Sequence, residues 1–118
     1  MVFRFYKCFN IKFGETMQLN KNIILNILRK HKNELKNFGV KRIGLFGSYA
    51  KDEQKETSDI DFIVEFEEGQ ATYDNYINLI TYLENLFNKK VDLITIEGLK
   101  SIRIKEVKED IKKGIIYV

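Results

Sequence analysis

The sequence predicts a small single-domain α+β fold, a mixed sheet with helices packed mainly on one of its faces. Two observations carry this reading. A chain of 118 residues with 44% hydrophobic content can bury one core, but is too short for a catalytic domain plus a separate recognition domain. Its apolar spacing also alternates between the helical period and short Val/Ile-rich runs, in the order helix, strand, loop, strand, helix, strand, helix. That order suits a small sheet covered by helices. No internal repeat, low-complexity tract or Gly/Ser linker interrupts it, so residues 17–118 read as one domain.

The first helix is expected over residues 20–38, where Ile23, Ile24, Ile27, Leu28 and Leu35 recur at helical spacing, an Asn stands at the N-cap and Gly39 follows as the C′ residue. Val40–Phe46 reads as a strand running into a tight turn at Gly47-Ser48. Residues 50–58 carry five charges, Lys51, Asp52, Glu53, Lys55 and Glu56, and form an exposed loop or a short helix. Ile60–Phe66 returns to strand character. Tyr73, Tyr76, Ile77, Ile80, Leu83, Leu86 and Phe87 then mark an amphipathic helix of about five turns, ended by Asn88-Lys89-Lys90. A third strand is expected over residues 91–96, a last helix over residues 101–113 on Ile104, Val107 and Ile111, and a short closing strand over residues 115–118.

Residues 1–16 stand apart. Phe3, Phe5, Phe9, Ile11 and Phe13 alternate partially, as in an edge strand, whereas Met17 would serve as a translation start directly before the first helix. The segment is thus either an edge strand or an artefact of the assigned start.

Composition narrows the function classes. With 20 basic against 17 acidic residues the formal charge is +3, which argues neither for a nucleic-acid binder nor for an acidic tail. One cysteine, Cys8, forms no internal disulfide, and no signal peptide or apolar run of about 20 residues is present. The expected setting is the cytoplasm, with no membrane partner.

The chemistry is concentrated in the stretch from Gly47-Ser48 to Asp59-Ile60-Asp61. Asp59 and Asp61 lie two apart at a strand start, so both carboxylates face one way while Ile60 faces the core. Like charges held that close are costly unless a cation sits between them. Hard oxygen ligands select Mg²⁺ or Mn²⁺, with water and phosphate oxygens filling the remaining positions. The Gly-Ser turn supplies the other half, because a strand ending in Gly lets backbone N–H groups approach phosphate, and Ser48 adds a hydroxyl. An isolated Asp-x-Asp would read equally well as a solvated strand entry. Paired with the turn, it suits a metal–triphosphate complex.

These residues resemble the minimal nucleotidyltransferases of the DNA polymerase β superfamily, whose motif is Gly-Ser, ten residues, Asp-x-Asp and a third acidic residue on a later strand. Gly47, Ser48, Asp59 and Asp61 match with the full spacing, and Asp92 in Val91-Asp92-Leu93-Ile94 falls where the third carboxylate belongs. The resemblance runs from about residue 19 to the C-terminus. It implies a polymerase-β-like nucleotidyltransferase fold, catalytic and metal-binding roles for Asp59, Asp61 and Asp92, two Mg²⁺ ions, and ATP as donor. Asp59 and Asp61 would hold both ions, and Asp92 would bind one of them and help deprotonate the acceptor hydroxyl. Gly47, Ser48, Tyr49 and Lys51 would contact the nucleotide. One departure stands out: many relatives carry arginine directly after Gly-Ser, where this chain has Tyr49 and its nearest basic residue is Lys51, a point charge in place of a planar fork.

The short chain resembles the stand-alone type, the antitoxin half of a module whose partner is a small helical HEPN ribonuclease toxin. That resemblance implies transfer of AMP to a toxin tyrosine. Two other functions compete: a non-catalytic antitoxin acting by occlusion, and a nucleotidyltransferase acting on RNA or a small molecule, for which a homo-oligomer would have to replace the missing recognition domain. The remaining candidates read more plainly. His31 is expected on a helix surface without a role, and Cys8 as an apolar residue. Tyr73, Tyr76 and Tyr82 are expected to pack a helix, while Lys100, Arg103, Lys105, Lys108, Lys112 and Lys113 form a solvated basic face, with direct nucleic-acid binding disfavoured. Tyr49, beside Ser48, is placed to lie over the nucleotide base.

Overall fold

The computed structural model describes residues 19–103 and 105–118. The expectations for residues 1–16, for Met17 and for Cys8 fall outside the described residues. In chain order the elements are α1 (Lys21–Lys30), α2 (Lys32–Lys36), β1 (Val40–Phe46), α3 (Gly47–Ala50), β2 (Ile60–Phe66), α4 (Tyr73–Phe87), β3 (Val91–Thr95), α5 (Ile96–Lys100), α6 (Lys105–Lys113) and β4 (Ile116–Tyr117). The fold is mixed α+β, as the apolar pattern predicts, and β1, β2 and α4 fall on their expected residues.

Three boundaries differ, each for a local reason or by a few residues. The single helix expected over residues 20–38 is two segments. Asn20 caps the first as anticipated, its side chain accepting from the Ile23 amide at 2.9 Å. At His31, however, the backbone leaves helical geometry (φ −109°, ψ 20°) and the ring Nδ1 donates to the Ile27 carbonyl at 2.8 Å, beside the backbone N–H of the same residue. A side chain that competes for the carbonyl ladder is a recognised cause of a helix break, so His31 has a structural role that its residue type did not reveal. The third strand stops at Thr95 rather than running to Ile96, because the Thr95 side chain accepts from the Gly98 amide at 2.9 Å and caps α5, which the sequence pattern concealed. The last helix begins at Lys105, four residues later than expected.

The sheet runs β3-β2-β1-β4, with β1 antiparallel to β2 and β4 and with β2 parallel to β3. The parallel pair needs a crossover, and α4 supplies it. One face of the sheet carries the core: Ile43 and Leu45 of β1, Ile60, Phe62 and Val64 of β2, and Val91 and Leu93 of β3 are buried against Ile24, Leu25 and Leu28 of α1, Leu35 of α2, and Leu79, Leu83 and Phe87 of α4. Alternation along β2 therefore turns Asp61, Ile63 and Glu65 to the opposite face. Ile63 is buried there, and α5 is packed against β2 and β3. The two faces thus divide the work, one packed by the long helices and the other presenting carboxylates at one end of the sheet.

Candidate active site

The register brings the motif together. Phe46, the last residue of β1, pairs with Asp61, and Asp61 pairs across the parallel ladder with Asp92. The Gly47-Ser48 turn and two of the three predicted carboxylates thus lie in one row across three strands, with Asp59 immediately before β2. Asp59 and Asp61 are half-buried, whereas Asp92 is exposed.

Asp61 is the most perturbed acid. Its carboxyl is pushed up to about 6, first by burial, then by the charges of Asp92 and Asp59, and last by a hydrogen bond shared with Asp92. Two carboxyl groups can share a hydrogen bond only if one of them keeps its proton. Burial and, next, the neighbouring carboxylates thus both disfavour the charged form of Asp61, and a bound cation would favour it. The donor set is made of carboxylate oxygens, which suits a hard divalent ion. Among the described residues, no group of three or more His, Cys, Asp and Glu side chains is arranged to hold a metal ion; Mg²⁺ commonly takes one or two carboxylates and fills the rest of its shell with water and substrate oxygens.

Gly47 is fixed by two constraints. Its φ is +76°, and a Cβ built there would lie 2.2 Å from Oδ2 of Asp61. No other residue type fits without moving the carboxylate. The glycine of the motif therefore allows the turn and the Asp61 carboxyl to touch, a reason for its presence that spacing alone does not give. Phe46, at the N-cap of α3, contributes no side-chain hydrogen bond, and the first amides of a helical turn have no acceptor within it. Ser48 is half-buried beside them, and its carbonyl accepts from the amides of Lys51 (3.2 Å) and Glu53 (2.9 Å), which folds the following loop back onto the turn.

Two predicted nucleotide contacts are placed differently from the simplest expectation. Tyr49 is only 3% exposed and belongs to the core. Two positions into the turn, its side chain points inward, so no ring face is open to a base. Burial and, next, the charge of Asp59 raise its hydroxyl pKa. Lys51 is exposed at the end of α3, and its Nζ lies 3.3 Å from Oδ2 of Asp110 on α6. Asp110, separated from Lys51 by 59 positions, gave no signal in the sequence.

The tyrosines of α4 also divide. Tyr73 is 77% exposed and is not a packing residue, Tyr82 packs against Phe38 at 5.1 Å between ring centroids, and the Tyr76 hydroxyl donates to the Leu93 carbonyl of β3. Among the described residues, no helix is long and apolar enough to cross a membrane.

Residues 28–118 match the family profile of the nucleotidyltransferase domain. A provisional protein adenylyltransferase of Methanocaldococcus jannaschii is 52% identical over 97 residues, covering 80% of this chain and 94% of that protein. The protein adenylyltransferase MntA of Thermococcus cleftensis is 45% identical over 96 residues, 80% of this chain and 92% of its own length. Among solved structures, a minimal nucleotidyltransferase superposes with a TM-score of 0.66 at 25% identity, covering 84% of this chain and 96% of the other. A toxin-antitoxin structure with AMP-PNP superposes with a TM-score of 0.55 at 25% identity, covering 84% and 72%.

Proposed function

The chain belongs to the nucleotidyltransferase domain family, and from that premise we propose that it is an antitoxin that transfers AMP from ATP to a hydroxyl of a partner toxin, specifically a tyrosine of a small helical HEPN ribonuclease. The observation that carries the chemistry is the row formed by the Gly47-Ser48 turn, Asp61 and Asp92 at one end of the sheet. The relatives named protein adenylyltransferase and the toxin-antitoxin neighbour with AMP-PNP support the acceptor class and the donor.

Asp59, Asp61 and Asp92 would hold two Mg²⁺ ions, which when bound supply charge neutralisation for the triphosphate and the departing pyrophosphate. The chain's own residues do the rest. Amides of the Gly47-Ser48 turn and the Ser48 hydroxyl bind phosphate oxygens, and Lys51 offers a point charge nearby. Asp92, exposed on an edge strand, is open to an acceptor arriving from solvent. In the transfer, the acceptor oxygen bonds to the α-phosphorus and the bond from that phosphorus to the β-bridging oxygen breaks. Pyrophosphate leaves, and the hydroxyl proton passes to the Asp92 carboxylate. Use of ATP and the mixed surface charge favour a cytoplasmic setting.

Intact mass spectrometry of the partner tests this, after incubation with the chain, Mg²⁺ and each nucleoside triphosphate. An AMP-sized increase that needs metal and disappears with Asp59→Ala/Asp61→Ala is expected. An unmodified partner held in a tight, inactive complex would replace the proposal with occlusion.

A further inference from the structure

β3 is an edge strand, and its outer edge is not left open. In a parallel ladder, successive residues turn their backbone groups to opposite sides, so the amide of Val91 and the carbonyl of Leu93 face away from β2. Both are taken by side chains of α4. Oε2 of Glu84 accepts from the Val91 amide at 3.2 Å, and the Tyr76 hydroxyl donates to the Leu93 carbonyl. The residue between them is Asp92, which lies opposite Asp61 on the inner side.

Tyr76 and Glu84 lie eight positions apart on α4, about 12 Å along a helix. Because α4 returns antiparallel to β3, the later side chain meets the strand's start and the earlier one its middle. An unpaired edge ordinarily leaves backbone groups to solvent or to another chain. Here two polar side chains hold the backbone on both sides of a carboxylate whose partner across the ladder is Asp61.

We propose that Tyr76 and Glu84 are a positioning pair for Asp92, clamping the edge strand so that its carboxyl is held beside Asp61 for shared binding of a divalent cation. The role rests on the reading of Asp92 given under the proposed function. It belongs to the class of contacts that orient ligands without touching the ion, whose loss commonly costs 10–100-fold in metal affinity or activity.

The test is Mn²⁺ binding to the nucleotide-free chain, followed by calorimetry or by the loss of free-ion electron spin resonance signal. Tyr76→Phe keeps the ring and removes only the hydroxyl, and it should weaken Mn²⁺ binding about tenfold. Glu84→Ala should do the same. Glu84→Gln should recover part of the loss, since its amide oxygen can still accept from Val91. In an Asp92→Asn background, Tyr76→Phe should produce no further loss, because the hydroxyl acts through the missing carboxylate. Tyr82→Phe, on the same helix, should bind Mn²⁺ as the wild type does. If Tyr76→Phe binds Mn²⁺ normally, or weakens it equally with and without Asp92, the positioning role is overturned while the reading of the site stands. If the wild-type chain binds no Mn²⁺, the cation reading itself fails and the positioning role goes with it.

Discussion

Asp61→Asn is expected to make the metal-free protein more stable while abolishing transfer. In the unfolded chain this carboxyl titrates near 3.8, and in the folded protein it is raised to about 6. Between those values the folded state keeps a proton that the unfolded state has released, so stability falls as pH rises from about 4 and the penalty is complete above about 6. At about 1.4 kcal/mol per tenfold difference, the gap corresponds to at most about 3 kcal/mol. Asp61 is half-buried, and solvent screening reduces this to about 1–2 kcal/mol. Asparagine removes the charge, keeps the shape and can donate to Asp92. Thermal unfolding in EDTA at pH 7 should therefore show the variant melting roughly 5–10 °C above wild type, by the usual scaling for a domain of this size. At pH 4 the advantage should shrink to roughly a fifth of its value at pH 7, since wild-type Asp61 is then protonated when folded and about two-fifths protonated when unfolded. A variant no more stable than wild type at pH 7, or one whose advantage persists unchanged at pH 4, would refute the account of Asp61 as a carboxyl penalised by burial and by its acidic neighbours.

Other substitutions probe the remaining contacts. Gly47→Ala meets both a positive φ and Oδ2 of Asp61. It should lower stability by roughly 2–4 kcal/mol in urea unfolding, from left-handed backbone strain of about 1–2 kcal/mol plus displacement of Asp61, and transfer should fall with it. Breaking the exposed Lys51–Asp110 pair (3.3 Å) with Asp110→Asn should change stability by less than about 0.5 kcal/mol. Lys51→Ala should instead raise KM for the nucleotide, and equal KM effects from both variants would mean that Lys51 serves α6 rather than the triphosphate. The Tyr82 hydroxyl is buried without a hydrogen-bond partner among the described residues, so Tyr82→Phe should be neutral or stabilising by about 1 kcal/mol in the same unfolding assay. A loss of stability would show that the hydroxyl has an acceptor in solution.

The long elements were legible because their information is local. β1, β2 and α4 each display their own period, and each ends at residues with a strong reason to stop the element, such as Asn88 in the left-handed conformation (φ 51°) after α4 or Gly39 (φ 80°) before β1. What the pattern hid depends on competition between side chain and backbone. His31 sits within a run that contains no Gly or Pro, and its ring contact with the Ile27 carbonyl marks the point where the helix divides. Thr95 has the β-branched character of a strand residue, and the same hydroxyl caps α5. A β-branched residue with a hydroxyl can serve either element. Here the burial of Leu99 within α5 favours the helix, and that burial is a tertiary property.

The site divides along a similar line. Spacing suffices to place Asp59 and Asp61 on one side of a strand, but joining them to Gly47 and Asp92 requires the strand register. That register is set by the core face: Ile60, Phe62 and Val64 must all point inward, and a one-residue slip would turn every carboxylate of β2 into the core. The same burial therefore fixes both the fold and the position of the chemistry. Tyr49 shows where reading by adjacency fails. It stands next to Ser48 in sequence, yet in a helical turn neighbouring side chains point in different directions, and the core takes the ring. Contacts such as Glu84 to Val91 and Tyr76 to Leu93 join an α4 side chain to the backbone of β3. The side chains carry no period of their own, and their partners, being backbone, have no residue identity to recognise. In this fold the candidate acids are legible because the proposed chemistry requires particular residue types, whereas the groups that hold the edge strand become visible only once α4 is docked beside it.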